Sequence, residues 1–160
     1  MLTVADLPAN SLQDLLSTYS LIIEFVDNEE KIPGSFWGDS EAGLIKNILY
    51  VRPKTPVHSA LHEACHYICL DSERRSALNT DAGGDYDEEN AVCYLQILLA
   101  AKLPGCSADT LMKNMDSWGY TFRLGSAQAW FENDAEDAQK WLLNERLIDQ
   151  NNAVTGRLRK

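Results

Sequence analysis

The segment His62-Glu63-Ala64-Cys65-His66 is the most informative part of this 160-residue chain. In an α-helix, residues four positions apart lie on one face, so His62 and His66 can reach the same ion. The preceding Thr55-Pro56 predicts where that helix begins, with Thr55 as the N-cap and Pro56 at the first helical position. The pattern therefore indicates a metal site on a helix.

Zinc suits such a pair of imidazoles. It binds neutral imidazole nitrogen at about 2.0–2.1 Å and leaves one tetrahedral position open for water in catalytic sites. Glu63 is then predicted to be a general base and not a ligand, because a carboxylate beside a zinc-activated water can accept its proton during attack on a carbonyl. We therefore expect a zinc-dependent peptidase whose substrate is a peptide or a protein.

His58, the remaining histidine of the chain, lies one helical turn before His62. His58 and His66 would be about 12 Å apart along the helix axis, so one ion cannot be bound by all three imidazoles. We expect His58 to have a local role near the helix start. A supporting role or an alternative ligand role stays open.

A third metal ligand is expected from a predicted helix in residues 85–100. Apolar residues repeat there with the helical period, and Glu88, seven residues before Leu95, lies on the same buried stripe. A buried carboxylate needs a partner, so Glu88 is the expected ligand and Glu89 is expected to point towards solvent or the loop. Two alternatives stay open: Glu88 closes a capping box with Asp85, or the helix phase differs by one residue and Glu89 is the ligand.

These motifs together resemble the zinc-dependent peptidases of the ImmA/IrrE type, in which two helical histidines are followed by Glu-x-x-Ala, here Glu88-Glu89-Asn90-Ala91. Upstream, Gly34-Ser35-Phe36-Trp37-Gly38 and the stretch from Ile45 to Val51 look like the sheet edge of those domains. The similarity covers roughly residues 20 to 105.

The resemblance implies a zincin-like domain with Glu63 as the base and with three zinc ligands, His62, His66 and Glu88. Two positions depart from the family pattern. Ala64-Cys65 replaces the usual small or aliphatic pair with its glycine, and Val92 stands where relatives place Asn or Asp. An Asp at that position can orient a zinc-bound histidine.

The composition limits the class of protein. A hydrophobic content of 45% is that of a folded domain, and 14 basic against 24 acidic side chains give a net charge of −10. Nucleic acid and anionic membranes are therefore unsuitable partners. No secretory signal or transmembrane segment is recognised, which favours the cytoplasm. We expect one domain over residues 1–150 and a flexible tail over 151–160, and nothing in the sequence indicates an oligomeric state.

The four cysteines do not have the spacing of a disulfide framework. We expect those near the metal site to be small apolar residues between packed helices. A thiolate ligand or a redox-sensitive site remains the alternative. They are Cys65, Cys69, Cys93 and Cys106.

The N-terminal part predicts an α+β fold with a small antiparallel or mixed sheet packed on the metal-site helices. Ser11 with Asp14 indicates a capping box, and strands are expected at 21–26 and 44–51, with Phe36-Trp37 in a strand between them. The edge of such a sheet can bind an extended substrate. Trp37 is expected in the core, with the wall of the substrate pocket as the alternative.

The C-terminal part is predicted to be helical, with one helix over 107–118 that ends at Gly119. The polar stretch 71–85 is expected to be a surface connector, or alternatively a lid over the cleft. Tyr120 and Arg123 are the candidate side chains for stabilising a transition-state oxyanion.

The sequence thus predicts a zinc peptidase of α+β fold. Two rival hypotheses remain: a metal-bound regulatory or protein-interaction module without turnover, and a zinc hydrolase of non-peptide amides.

Overall fold

Seven α-helices and three strands form the regular structure of residues 1–35 and 41–160, which are the residues described in this computed structural model. The helices are α1 (Ser11–Ser17), α2 (Val57–Cys69), α3 (Ser72–Ser76), α4 (Tyr86–Ala100), α5 (Ala108–Trp118), α6 (Ala127–Asn133) and α7 (Glu136–Asn144). The strands are β1 (Ile22–Phe25), β2 (Gly43–Ile45) and β3 (Ile48–Val51). Short 3-10 helices lie at Val4–Asp6 and Arg123–Gly125. The chain is therefore of the α+β class, as predicted.

None of the helices in the two described ranges is long and apolar enough to span a membrane.

The three strands form a mixed sheet in the order β1-β3-β2. β1 runs parallel to β3, and β2 pairs with β3 in antiparallel fashion. The single strand predicted over 44–51 is wrong, because the chain turns at Lys46-Asn47 and forms a hairpin. Lys46 adopts φ +51° and donates its N–H to the Leu78 carbonyl, which stabilises the turn. The predicted strand at Phe36-Trp37, and the role of Trp37, lie outside the described residues.

Both outer edges of this sheet already carry hydrogen bonds. The Leu44 N–H donates to the Gly34 carbonyl, and the Leu44 carbonyl accepts from Thr80 N–H at 2.9 Å. On the other edge, the Ile23 N–H donates to Gln13 Oε1 at 2.9 Å. An extended substrate therefore cannot pair with Leu44 or Ile23 unless it displaces these bonds.

Helix α2 carries the histidine motif, as predicted, and packs against α4, α5 and the sheet. Its start differs by one residue from the prediction, because Pro56 takes the N-cap position and Val57 is the first helical residue. Thr55 is buried and its hydroxyl accepts from Arg52 N–H at 2.8 Å, so it stabilises the preceding turn instead. Apolar residues on most of its surface hold α2 in the core, which fixes the direction of its polar face.

Helix α4 crosses α2 and is buried on nearly all sides, with α5 and α7 packed against it. It begins at Asp85, the cap that the sequence left open as an alternative, whose carboxylate accepts from Glu88 N–H at 2.9 Å. Helix α5 also has its predicted ends, with Ser107 as N-cap and Gly119 at φ +114° as C-cap. These helices form a rigid scaffold behind the histidine motif.

Two other predictions about the chain ends are corrected. Asn10, and not Ser11, is the N-cap of α1, and the Ser11 hydroxyl donates to the Pro8 carbonyl. Residues 151–160, predicted to be a flexible tail, return to the domain. Arg159 donates its backbone N–H to the Ile68 carbonyl, and its guanidinium lies 4.9 Å from the Trp141 ring centre.

Candidate metal centre

Three side chains from α2 and α4 meet at one point. The Nε2 atoms of His62 and His66 lie 3.1 Å apart. Glu89 places one carboxylate oxygen 3.1 Å from His62 Nε2 and the other 3.1 Å from His66 Nε2. One donor atom from each residue can be chosen so that all three lie within 4.8 Å of one another. The predicted pairing of the two histidines on one face of the helix is therefore present in the structure.

The donor set fits a small divalent cation of borderline softness. Two imidazole nitrogens and a carboxylate oxygen are common zinc ligands, with zinc–ligand distances of about 2.0–2.2 Å. Ligand atoms of a tetrahedral shell with those bond lengths are about 3.3–3.6 Å apart. The observed separations of 3.1 Å are close to this spacing. His62, His66 and Glu89 could therefore hold a zinc ion with little rearrangement.

Glu88 is buried, as predicted, but the structure places it away from the histidines, so it is not the third donor of this cluster. Glu88 is only 4% exposed, and its carboxylate accepts two hydrogen bonds from Arg74, at 2.9 and 2.7 Å. Arg159 donates a third at 3.0 Å. The partner that a buried carboxylate requires is thus supplied by two guanidinium groups and not by a metal. Glu89, expected to face solvent, is the carboxylate that approaches His62.

The Arg74–Glu88 pair also holds the loop beside the cluster. Arg74 donates from the same guanidinium to the Ala82 carbonyl at 2.9 Å. Gly84 has φ +110°, and a Cβ at this position would lie 2.1 Å from Glu88 Oε2. Glycine is therefore needed where this loop crosses the buried carboxylate.

A polar cleft of about 370 Å³ opens next to the donor cluster. Glu63, His66 and Glu89 line one side, and the loop 80–84 lines the other. Part of the stretch 71–85 is therefore a wall of the cleft, while its first half contains α3. Glu63, the predicted base, lies on the same cleft as the histidines and is half-buried.

Gln96 is a site residue that the sequence reasoning missed. Its side chain is fully buried, and Oε1 lies 3.0 Å from His62 Nδ1. Its Nε2 donates to the His58 backbone carbonyl at 2.7 Å. A polar residue in the apolar run of α4, seven positions after Glu89, was the available signal, because two helical turns return to nearly the same face.

Tyr120 packs beside His62 but is not among the residues that line the cleft, and Arg123 lies away from the cluster. The Tyr120 ring is 5.7 Å from the His62 ring, and its hydroxyl is 3.1 Å from His58 Nδ1. The Arg123 guanidinium instead pairs with Asp134 at 2.8 Å and is largely exposed. His58 is buried beneath Trp118 and Tyr120, in the local role that the sequence predicted.

The electrostatic environment of the cluster is dominated by burial and close pairing. Burial alone lowers the pKa of His62, but the Tyr120 hydroxyl, the Cys93 thiol and the Glu89 carboxylate outweigh it and raise that pKa well above its ordinary value. Burial raises the pKa of Glu89, yet hydrogen bonds from the two histidines hold it far below its usual range. Burial also raises the pKa of Glu63. Glu89 therefore carries the negative charge of the cluster.

The cysteines near the cluster are free thiols. Three of them are buried between α2 and α4, in agreement with the prediction of apolar packing: Cys65, Cys69 and Cys93. Burial raises the pKa of Cys65 and of Cys69, so both remain protonated. Cys93 differs in that its thiol contributes to the raised pKa of His62.

Comparisons of the chain with protein-family models, with curated proteins and with solved structures found no match.

Proposed function

We propose that this protein is a zinc-dependent peptidase whose metal ligands are His62, His66 and Glu89. The observation that carries the proposal is the cluster of His62, His66 and Glu89. Their donor atoms lie within 4.8 Å of one another at the edge of a polar cleft that also contains Glu63. The ImmA/IrrE-type resemblance and a zincin-like fold belong to the same proposal.

The proposed roles follow from where each group lies. A bound zinc ion would supply a Lewis acid that lowers the pKa of a coordinated water molecule to about 7. Glu63, on the cleft beside His66, accepts a proton from water and later delivers it to the leaving amine. Tyr120 is the candidate donor to the transition-state oxyanion, because its ring lies 5.7 Å from the His62 ring.

The cleft supports a polar segment of peptide as the substrate. Its lining includes backbone of the loop 80–84 and the carboxylates of Glu63 and Asp81. Gly83 and Gly84 have no side chains on that wall, which leaves room for a peptide beside the donor cluster. The sheet edge at Leu44 is a poorer candidate, since its outward groups are already bonded.

The test combines metal analysis with a peptide-library assay. The purified protein should contain about one zinc per chain, and Glu63→Gln should retain that zinc while losing at least about 100-fold in cleavage rate. Glu132→Gln, an exposed carboxylate on α6, serves as the matched control and should leave both quantities unchanged.

The possible results separate the proposal from its rivals. Zinc without cleavage in the wild type would favour the non-catalytic regulatory or protein-interaction module. Cleavage confined to non-peptide amides would favour the other hydrolase hypothesis. Full activity in Glu63→Gln would remove Glu63 from the mechanism, and absence of zinc would refute the metal site.

A further inference from the structure

We propose that Gln96 is a positioning residue that fixes the tautomer and ring orientation of His62, and thereby raises the affinity of the site for zinc. This inference rests on the proposed function, because it concerns the same metal site. It adds a residue from the centre of α4 whose side chain does not itself contact the ion.

The orientation of the Gln96 amide follows from its second contact. The His58 backbone carbonyl, 2.7 Å away, can only accept a hydrogen bond, so the amide nitrogen must face it. The amide oxygen therefore faces His62 Nδ1 at 3.0 Å. The full burial of Gln96 makes the reversed orientation costly. The amide oxygen would then face the His58 carbonyl oxygen, and both atoms are acceptors.

An amide oxygen facing Nδ1 requires a proton on that nitrogen. With Nδ1–H fixed by Gln96, the lone pair of a neutral His62 lies on Nε2. Nε2 is the atom that lies 3.1 Å from both His66 Nε2 and Glu89. The tautomer that a metal requires is thus set before an ion binds, because the Nε2 lone pair of the neutral ring already faces the other two donor residues.

The two histidines differ in this respect. His66 Nδ1 is buried and has no hydrogen-bond partner among residues 1–35 and 41–160. Among the described residues, an orienting hydrogen bond at Nδ1 is therefore made to His62 and not to His66. Glu89 and Gln96 are seven residues apart on one face of α4, so the same helix supplies a ligand and the residue that orients another ligand.

The inference also accounts for the apolar residue at 92. Val92 is fully buried and has no polar atom in its side chain. Gln96 lies one helical turn further along α4 and has an amide long enough to reach His62. The orienting group for His62 on this helix is therefore Gln96, and Val92 offers none.

The experiment measures zinc affinity and the His62 tautomer in Gln96→Met, which keeps the side-chain length and removes both polar groups. We expect a loss of about 10- to 100-fold in zinc affinity by competition with a chromophoric chelator. Nitrogen-15 chemical shifts of the neutral metal-free imidazole should show protonated Nδ1 in the wild type and a mixture of tautomers in the variant. Gln96→Glu keeps an acceptor for Nδ1–H, and in its protonated form its hydroxyl can donate to the His58 carbonyl, so this variant should recover most of the affinity.

Tyr94→Phe is the matched control for a lost buried hydrogen bond. The Tyr94 hydroxyl, also on α4, accepts bonds from Gln139 and Asn152, away from the histidines. Tyr94→Phe should lower the melting temperature but keep wild-type zinc affinity. Zinc affinity in Gln96→Met equal to that of the wild type, or a loss in Gln96→Glu as large as in Gln96→Met, would overturn the inference. A wild-type protein that binds no zinc would instead refute the proposed site itself.

Discussion

Substituting Glu88 and Glu89 of α4 separately by glutamine distinguishes the structural role of the first from the metal-binding role of the second. In Glu88→Gln, two guanidinium groups lose a carboxylate that is only 4% exposed. Removing one partner of a buried ion pair costs about 3–5 kcal/mol. The side chains of Arg74 and Arg159 are 34% and 21% exposed, so water can solvate the two guanidinium groups when the carboxylate is removed. We therefore expect the lower end of this range of energies. For a chain of this length, about 3 kcal/mol corresponds to a melting temperature lower by about 6–12 °C.

Glu89→Gln should have the opposite pattern of effects, with a small change in stability and a large loss of zinc affinity. Its side chain is 48% exposed, so the metal-free protein should lose less stability than in Glu88→Gln. The free energy of zinc binding to a structural site is about 10–16 kcal/mol. If each of three protein ligands supplies a third of it, the loss of Glu89 costs about 3–5 kcal/mol, which lowers zinc affinity by at least about 100-fold.

The assay is a thermal melt of the chelator-treated protein together with a zinc titration of each variant. The two substitutions are isosteric and adjacent, so each serves as the control for the other. Normal zinc affinity in Glu89→Gln together with lost affinity in Glu88→Gln would show that the side chains of α4 are assigned to the wrong partners.

Three further outcomes are expected. Burial, with a smaller contribution from His62, lowers the pKa of His58 to about 4, so the unfolded chain binds a proton that the folded chain does not. The metal-free protein should therefore lose up to about 3 kcal/mol as pH falls from about 6.5 to 4, and urea unfolding of His58→Gln should show a flatter pH dependence. Arg159→Ala should lower the free energy of unfolding by about 2 kcal/mol with zinc stoichiometry intact, whereas the exposed Arg157→Ala should change neither, and equal melting curves for the two would contradict the role of Arg159. Tyr120→Phe should retain zinc and lower peptide cleavage by about 100-fold, and an unchanged cleavage rate would exclude its hydroxyl from the reaction.

Local signals in the sequence were sufficient for most helices. The motif helix, the Asp85 cap of α4 and the Gly119 cap of α5 follow from residue types that act within one turn. The histidine pair follows from the helical repeat alone. Such features depend on neighbours in sequence, and one chain is enough to recognise them.

The third carboxylate could not be assigned in this way. A stripe identifies the inward face of a helix only when the opposite face is polar. Helix α4 is buried along most of its length, so burial alone does not identify the carboxylate that faces α2. Glu88 is buried without reaching the histidines, whereas Glu89 reaches them although it is exposed. The choice between them depends on Arg74 and Arg159, which approach from distant parts of the chain.

The hairpin at Lys46-Asn47 and the role of Gln96 were missed for related reasons. The turn has no glycine, and its Lys46 N–H is bonded to Leu78, which is distant in sequence. Gln96 stands in a run that otherwise reads as core. Its meaning depends on which atoms of α2 lie opposite.

The sequence separation of the contacts has a consequence for the growing chain. All three donors lie within residues 62–89, but the second cation on Glu88 comes from Arg159, 71 residues later. At about 5–20 residues per second, a ribosome needs roughly 4–14 s to add that interval. During that time His62, His66 and Glu89 are already present in the nascent chain, while Glu88 has only Arg74 as a partner. The donor set is thus synthesised well before the interior charge beside it can be fully neutralised.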